Sequence, residues 1–175
     1  MDDTLGIIIA IGLVAILMFV FPLMATAERT DDISQLAVQT ETTKFVDKVR
    51  TTGQLTLEDY DKFYSTIVDE TSDSFDIEMT PQILDENPGV KTTQAEITKI
   101  GENFYYTEYT TQVLEELNEN NKKVFKEGDI FAVTVRNTNK TIAQLLKNFF
   151  YRISGDDTYQ IAAQHSGIVT VNGSR

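Results

Sequence analysis

The chain has 175 residues, with 27 Asp plus Glu against 15 Lys plus Arg, a formal net charge of −12, one His, no Cys and no Trp. That acidity argues against nucleic acid and anionic lipid surfaces as partners, because both demand a basic face to meet phosphate. The lack of Cys removes disulfides, thiolate ligands and thiol nucleophiles, and a single His cannot build a multi-His metal site within one chain.

Leu5 to Ala25 is a run of 21 residues without a charge. As a helix it measures roughly 31 Å, close to the ~30 Å hydrocarbon core of a bilayer. A helix also satisfies its own backbone in lipid. Residues 1–25 are therefore the predicted transmembrane segment. The residues ahead of the run, Met1-Asp2-Asp3-Thr4, carry no Lys or Arg, and the run is longer than the apolar stretch of about 7–15 residues in a secretory signal. Ala25-Thr26-Ala27 matches an A-x-A cleavage site, so permanent anchoring is the expectation and cleavage the alternative. Arg29 sits among Glu28, Asp31 and Asp32, so the positive-inside rule assigns orientation only weakly.

Within this segment, Asp2 and Asp3 place carboxylates where a helix dipole favours them. They read either as water-facing caps or as partners for the α-amino group of a neighbouring subunit. Gly6 and Gly12 are too far apart for GxxxG, so close anchor packing is not strongly signalled. Pro22 is either a kink near the bilayer exit or an ordinary tolerated transmembrane proline. Asp2, Asp3, Leu5, Gly12, Phe19 and Pro22 are the candidate membrane and assembly positions.

No helix breaker interrupts Leu23 to Arg50, and Gly53 suits the position after a helix C-terminus. Residues 26–53 are thus predicted to continue the first helix as an amphipathic segment. Ile33, Leu36, Ala37 and Thr40 share one face; Val38, Phe45, Val46 and Val49 share another, so the two halves are expected to face different partners. Residues 54–175 then form the head. Thr56-Leu57-Glu58-Asp59 resembles a capping box, opening a helix over about 57–70 with Leu57, Tyr60, Phe63, Tyr64, Ile67 and Val68 on one face. Phe75 to Met79 alternates as a half-buried strand ended by Pro81. Gln82 to Lys99 reads as a long surface loop whose carboxylates hint at Ca²⁺ only faintly, without EF-hand spacing. A helix is expected over about 108–119, a connector over 118–123, a tight turn at Glu127-Gly128-Asp129 and a strong strand from Ile130 to Arg136. Asn137-Thr138-Asn139 caps a helix over about 140–151 bearing Ile142, Leu145, Leu146, Phe149 and Phe150. Tyr159 to Gln164 and Gly167 to Val171 read as short terminal strands. This order predicts an α+β fold: a long N-terminal transmembrane helix continuing into a small head with a mainly antiparallel sheet and packed helices.

Catalytic signatures are missing: there is no GxGxxG, GxxxxGK[ST], HExxH or GxSxG. His165, beside Ser166-Gly167, reads as a packing or surface histidine rather than a base. Adjacent acids such as Asp156-Asp157 and Glu115-Glu116 read as solvated. Asn139-Lys140-Thr141 and Asn172-Gly173-Ser174 match a glycosylation sequon that is common by chance. No enzymatic activity and no cofactor are expected.

A short polar N-terminus, an uninterrupted apolar helix with Pro22 near its exit, an amphipathic continuation and a small α+β head together resemble the type IV pilin and pseudopilin superfamily. More closely, Phe45-Val46-Asp47-Lys48-Val49-Arg50-Thr51-Thr52-Gly53-Gln54-Leu55-Thr56, followed by Tyr60 and Phe75-Asp76-Ile77-Glu78, resembles small TadE-like pilin-related proteins of Gram-positive bacteria. The resemblance covers residues 1 to about 80 and the remainder loosely. It implies a structural subunit of a Tad or type IV-like filament or secretion apparatus, an extracytoplasmic head, and self-association or contact with other pilus components through the N-terminal helix. Members of the superfamily usually carry a basic leader and a glutamate at the fifth mature position. Here position 5 is Leu, so either Asp2 or Asp3 replaces that glutamate or the protein is a fixed accessory. The alternative from another class is a membrane-tethered binding module that does not polymerise.

Overall fold

A computed structural model describes residues 2–71, 73–85, 104–139, 141–142 and 162–174. Helix α1 spans Asp2–Thr52 without interruption, including Pro22. At 51 residues it is roughly 76 Å long. Its first half touches little, whereas its second half is the spine of the head. Ala27, Asp31, Ser34, Val38, Thr42, Phe45 and Val49 are all buried. Their spacing of three or four residues lays them along one straight stripe. The face carrying Val38, Phe45, Val46 and Val49 is therefore the core face, while Ile33 and Leu36 point outward and stay exposed.

Gly53 ends α1 with φ +67°, and its amide donates to the Val49 carbonyl at 2.8 Å. This left-handed position after the helix is one that glycine adopts without a Cβ penalty. The site is also crowded: a Cβ there would overlap the Val171 carbonyl oxygen and the Gly173 amide. The C-terminal residues 169–174 close over this corner. Thr170 donates its amide to the Arg50 carbonyl at 3.0 Å, and Gly173 donates to Phe125 at 3.0 Å.

The chain then enters the short strand β1 (Gln54–Thr56) and helix α2 (Leu57–Thr71). The Thr56 hydroxyl accepts from the Asp59 amide at 3.1 Å, the capping bond read from the sequence. Asp59 also takes the Lys48 ammonium of α1 at 2.5 Å. Burial pushes the Asp59 carboxyl up, but the bonds from Lys48 and Thr56 outweigh it and hold it low. Phe63 of α2 stacks on Phe45 of α1, with ring centroids 4.3 Å apart and planes 5° from parallel. The α1–α2 pair is thus fixed by an aromatic stack inside and an ion pair at the rim.

Strand β2 (Phe75–Met79) alternates buried and exposed as its sequence pattern predicts. The segment read as a surface loop from Gln82 onward begins as a strand instead, β3 (Gln82–Asp85). β3 pairs antiparallel with β4 (Phe104–Thr107). Pro81 ends β2, but the register against the strand Ile130–Asn137 continues past it, from Met79 opposite Val133 to Gln82 opposite Ile130. Residues 86–103 lie outside the described residues.

Helix α3 (Thr110–Asn120) follows β4, and strand β5 (Lys122–Val124) follows directly on it. Asn118 to Lys123, expected as a connector, is therefore divided between a helix end and a strand. Asn121 makes the turn in the left-handed region, with φ 56°. β5 pairs antiparallel with β1 in a two-stranded sheet. The long strand β6 (Ile130–Asn137) is the centre of the larger, five-stranded sheet. β2 lies against its C-terminal part, β3 meets it through Gln82 and Ile130, and β7 (Ala162–Ile168) runs along its other edge. Every strand pairing among the described residues is antiparallel. The two terminal strands read from the sequence are one strand, displaced inward from both expected segments. The helix expected over 140–151 lies outside the described residues save for Thr141 and Ile142. The architecture is α+β, a long apolar N-terminal helix continuing into a small head of antiparallel sheets and packed helices.

The core lies between the α1 stripe, α2 and the inner face of the larger sheet. Phe131 of β6 meets Phe45 edge-on at 5.9 Å and Phe125 at 5.4 Å, so one aromatic chain runs from α2 through α1 to the sheet. A buried lysine closes the far side. Lys123 of β5 is 6 % exposed and lies 2.6 Å from both Glu108 and Glu116. Burial alone lowers its ammonium pKa, but the hydrogen bonds and charges of the two glutamates raise it above the ordinary lysine value.

Two outcomes follow for stability of the full chain in detergent, read by thermal or denaturant unfolding. Gly53→Ala will lose at least the roughly 1–3 kcal/mol of a strained left-handed residue, and more because the Cβ meets backbone that cannot rotate away. Lys123→Met will lose about 2–3 kcal/mol, below the usual buried-pair loss because Glu116 is partly exposed; adding Glu108→Gln and Glu116→Gln will recover most of it. Because the folded pKa of Lys123 is raised, its contribution is complete below the ordinary lysine range and disappears as pH rises through the folded value. The gap between wild type and Lys123→Met must therefore narrow in strong alkali.

Candidate functional site

α1 is the one helix among the described residues that is long and apolar enough to cross a membrane. Every residue from Thr4 to Phe19 is exposed, as are Phe21 to Leu23. No face of this segment is covered, so it differs from the buried stripe that the same helix shows beyond Ala27. Apolar exposure on all sides of a helix is stable only in an apolar surrounding or under a partner's surface.

The candidate membrane and assembly positions lie along this exposed segment. Asp2 and Asp3 occupy the first turn of α1. Leu5 is exposed, and Gly12 has open space where a Cβ would stand. Phe19 is 71 % exposed. Pro22 lies where the exposed segment approaches the head, and its carbonyl accepts the Thr26 hydroxyl at 2.8 Å. Thr30 repeats that bond to the Thr26 carbonyl at 3.0 Å. These threonines fold their hydroxyls back on the helix, so the exit from the apolar run presents methyl groups outward. Phe19 and Pro22 line one open groove, and the six positions form a line along one helix rather than a cluster.

The junction with the head uses residues that the sequence pattern did not mark. Asp31, buried on α1, accepts the Thr141 hydroxyl at 2.7 Å. One turn on, Gln35 uses its amide as a missing strand: its Nε2 donates to the Ala162 carbonyl at 2.5 Å, and its Oε1 accepts the Ala162 amide at 2.9 Å. Both groups of the first β7 residue are satisfied in this way. Beyond Thr141, Ile142 lines an open groove together with Phe19, Pro22, Leu23 and Thr26. Burial, and then the nearby Asp31 carboxylate, push the Asp73 carboxyl up from its ordinary value. Small polar residues at helical spacing, Asp31, Ser34 and, two turns on, Thr42, with Gln35 beside them, were the available signal. It was masked because the stripe carries few large apolar side chains.

His165 stands on the inner face of β7, where Ala163, His165 and Gly167 turn toward α1. Its Nε2 lies 3.8 Å from an Asp47 carboxylate oxygen, which also takes the Arg50 guanidinium at 2.7 Å. Arg50 lies across Gly167 and donates Nε to the Ile168 carbonyl at 3.0 Å. The histidine is thus part of the α1–β7 packing. Ser166 projects to the opposite face of the strand, so the two do not form a nucleophile–base pair. Among the described residues no three carboxylate or imidazole side chains converge as a metal site. Of the sequon residues, Thr141 is engaged by Asp31 and the Asn172 side chain accepts the Glu127 amide at 2.9 Å.

No protein-family model, no curated protein and no solved structure matches this chain.

Proposed function

We propose that this protein is a single-pass membrane protein acting as a pilin-like structural subunit, or minor component, of a Tad or type IV-like filament or secretion apparatus. Its head is extracytoplasmic and its role is non-enzymatic. One observation carries the reading: a single continuous helix is exposed and apolar on every face up to Leu23, then becomes the buried spine of the head from Ala27. Such a helix couples an apolar medium to a folded domain with no hinge between them. Subunits of this form bundle by their apolar segments and carry their heads outward. In that assembly Leu5, Gly12 and Phe19 lie at helix–helix contacts, and Asp2 or Asp3 supplies the carboxylate near the N-terminus. The exposed Ile33 and Leu36 extend the apolar surface into the head.

A second reading rests on a different feature. The four residues of β4 are all exposed, with Phe104, Tyr105 and Tyr106 joined by exposed Tyr109. An aromatic strand of this kind suits a tethered module that captures a partner.

The chain has no cysteine, so single cysteines report contacts cleanly. Leu5→Cys, Ile8→Cys and Phe19→Cys, each in the full-length protein, are expected to sediment with membranes, resist carbonate extraction and form disulfide-linked dimers between copies on mild oxidation. Sheared surface material should contain the Phe19→Cys dimer. Membrane retention without dimers at any of the three positions would favour the tethered module. Release of the chain by carbonate would favour a cleaved or detached helix.

A further inference from the structure

The head begins where the apolar run stops. Ala25 is the last residue of the run and Ala27 is already buried by the head. At about 1.5 Å per residue the two are separated by roughly 3 Å along the helix, less than the thickness of a lipid headgroup. No length of bare helix is available as a stalk. The bond from Thr141 to Asp31 holds the head's chain against α1 about 9 Å beyond Ala25, and the next residue, Ile142, lines one open groove with α1 residues between Met18 and Thr30, among them Phe19, Pro22 and Leu23. Those three belong to the apolar run itself. Ile142 is 65 % exposed, an unfavourable position for an isoleucine in water and a favourable one at an acyl–headgroup boundary.

We propose that in the membrane-resident protein the head rests directly on the lipid surface, with Ile142 inserted at the boundary alongside Pro22 and Leu23. The inference rests on α1 spanning the bilayer, as proposed above. The apolar surface of α1 is continuous with Ile142, so the lipid that surrounds the helix also covers this side chain. The matching surface is zwitterionic phospholipid. Glu28, Asp31 and Asp32, with Arg29 the one cation among them, follow within about 10 Å of the end of the apolar run, and the chain's net charge of −12 offers anionic lipid no attraction. A head seated in this way cannot swing freely about its anchor. Its orientation relative to the membrane is set by the helix and by one lipid contact.

The chain has no tryptophan, so one introduced indole is the sole emitter of its kind. Ile142→Trp, Phe19→Trp and Leu36→Trp are each placed in the full-length protein, reconstituted in phosphatidylcholine vesicles and compared with vesicles of acyl-brominated phosphatidylcholine. Phe19→Trp is expected to be strongly quenched and blue-shifted. Leu36 lies eleven residues beyond the apolar run, roughly 16 Å along the helix, so Leu36→Trp should emit as in water without quenching. Ile142→Trp is expected to be quenched several-fold more than Leu36→Trp, with a blue shift. If Ile142→Trp behaves like Leu36→Trp while Phe19→Trp is quenched, the helix spans but the head stands away from the lipid, and the proposal is wrong. If Phe19→Trp is also unquenched, α1 does not enter the bilayer, and both the spanning reading and this inference fall. A second readout avoids the bulk of indole. Ile142→Cys should react several-fold more slowly with a membrane-impermeant maleimide in vesicles than Leu36→Cys, and equal rates would overturn the contact.

Discussion

The head depends on the burial of α1's second half. Phe45 stacks on Phe63 from α2 and meets Phe131 from β6 edge-on, so a single side chain of the N-terminal helix joins the helical layer to the sheet. Val38, Val46 and Val49 fill the space on either side of it. Stripping these residues away would expose the inner faces of β6 and α2 together, an apolar loss far larger than the net stability of a small domain. The membrane-directed segment and the fold are consequently one object. α1 runs as one helix from the exposed N-terminal half into the head, with Pro22 the one proline between Gly12 and Gly53.

Around that apolar spine, polar side chains act where backbone ladders end. Gln35 supplies both hydrogen-bonding partners for Ala162. The Thr110 hydroxyl of α3 accepts the Met79 amide at the end of β2 at 2.8 Å. The Asp129 carboxylate accepts the Leu84 and Lys126 amides at 2.8 and 2.7 Å, tying β3 to the turn before β6. Each of these side chains is at least partly buried, and each replaces a rung that water would otherwise have to provide. Lys123 does the same with charge, joining the chain just ahead of α3 to the middle of that helix through Glu108 and Glu116. The small sheet is joined to the large one by apolar contact, through the fully buried Leu55 of β1 and through Phe125, which packs on Phe131 of β6.

Legibility of the fold followed the strength of its periodic signals. Helix α2 and strand β2 carry clean spacings of three to four and of two, and the structure places them at Leu57–Thr71 and Phe75–Met79. β3 reads as loop because Gln-Ile-Leu-Asp is too short to show alternation and runs into Glu-Asn-Pro-Gly. Its strand state comes from pairing with β4, which runs from Asp85 opposite Phe104 to Gln82 opposite Thr107 and which no local pattern specifies. β5 was hidden for the same reason, since Lys122-Lys123-Val124 becomes a strand only by lying against β1. The apolar segment of α1 was the clearest signal in the chain. The buried stripe beyond it was obscure, because Asp31, Ser34 and Thr42 are buried by contact with the head and not by their own hydrophobicity.

The sequence by itself determined the long exposed apolar helix, its continuation past Pro22, the glycine that ends it and the α+β class. All of these arise from local composition and from the sterics of single residues. Only the tertiary structure decided which face of that helix is core and which is bare. It also seated Gln35 at the edge of the sheet and set Ile142 beside Pro22 and Leu23. Those placements depend on contacts across more than 100 residues of chain, and such contacts leave no periodic trace in the sequence.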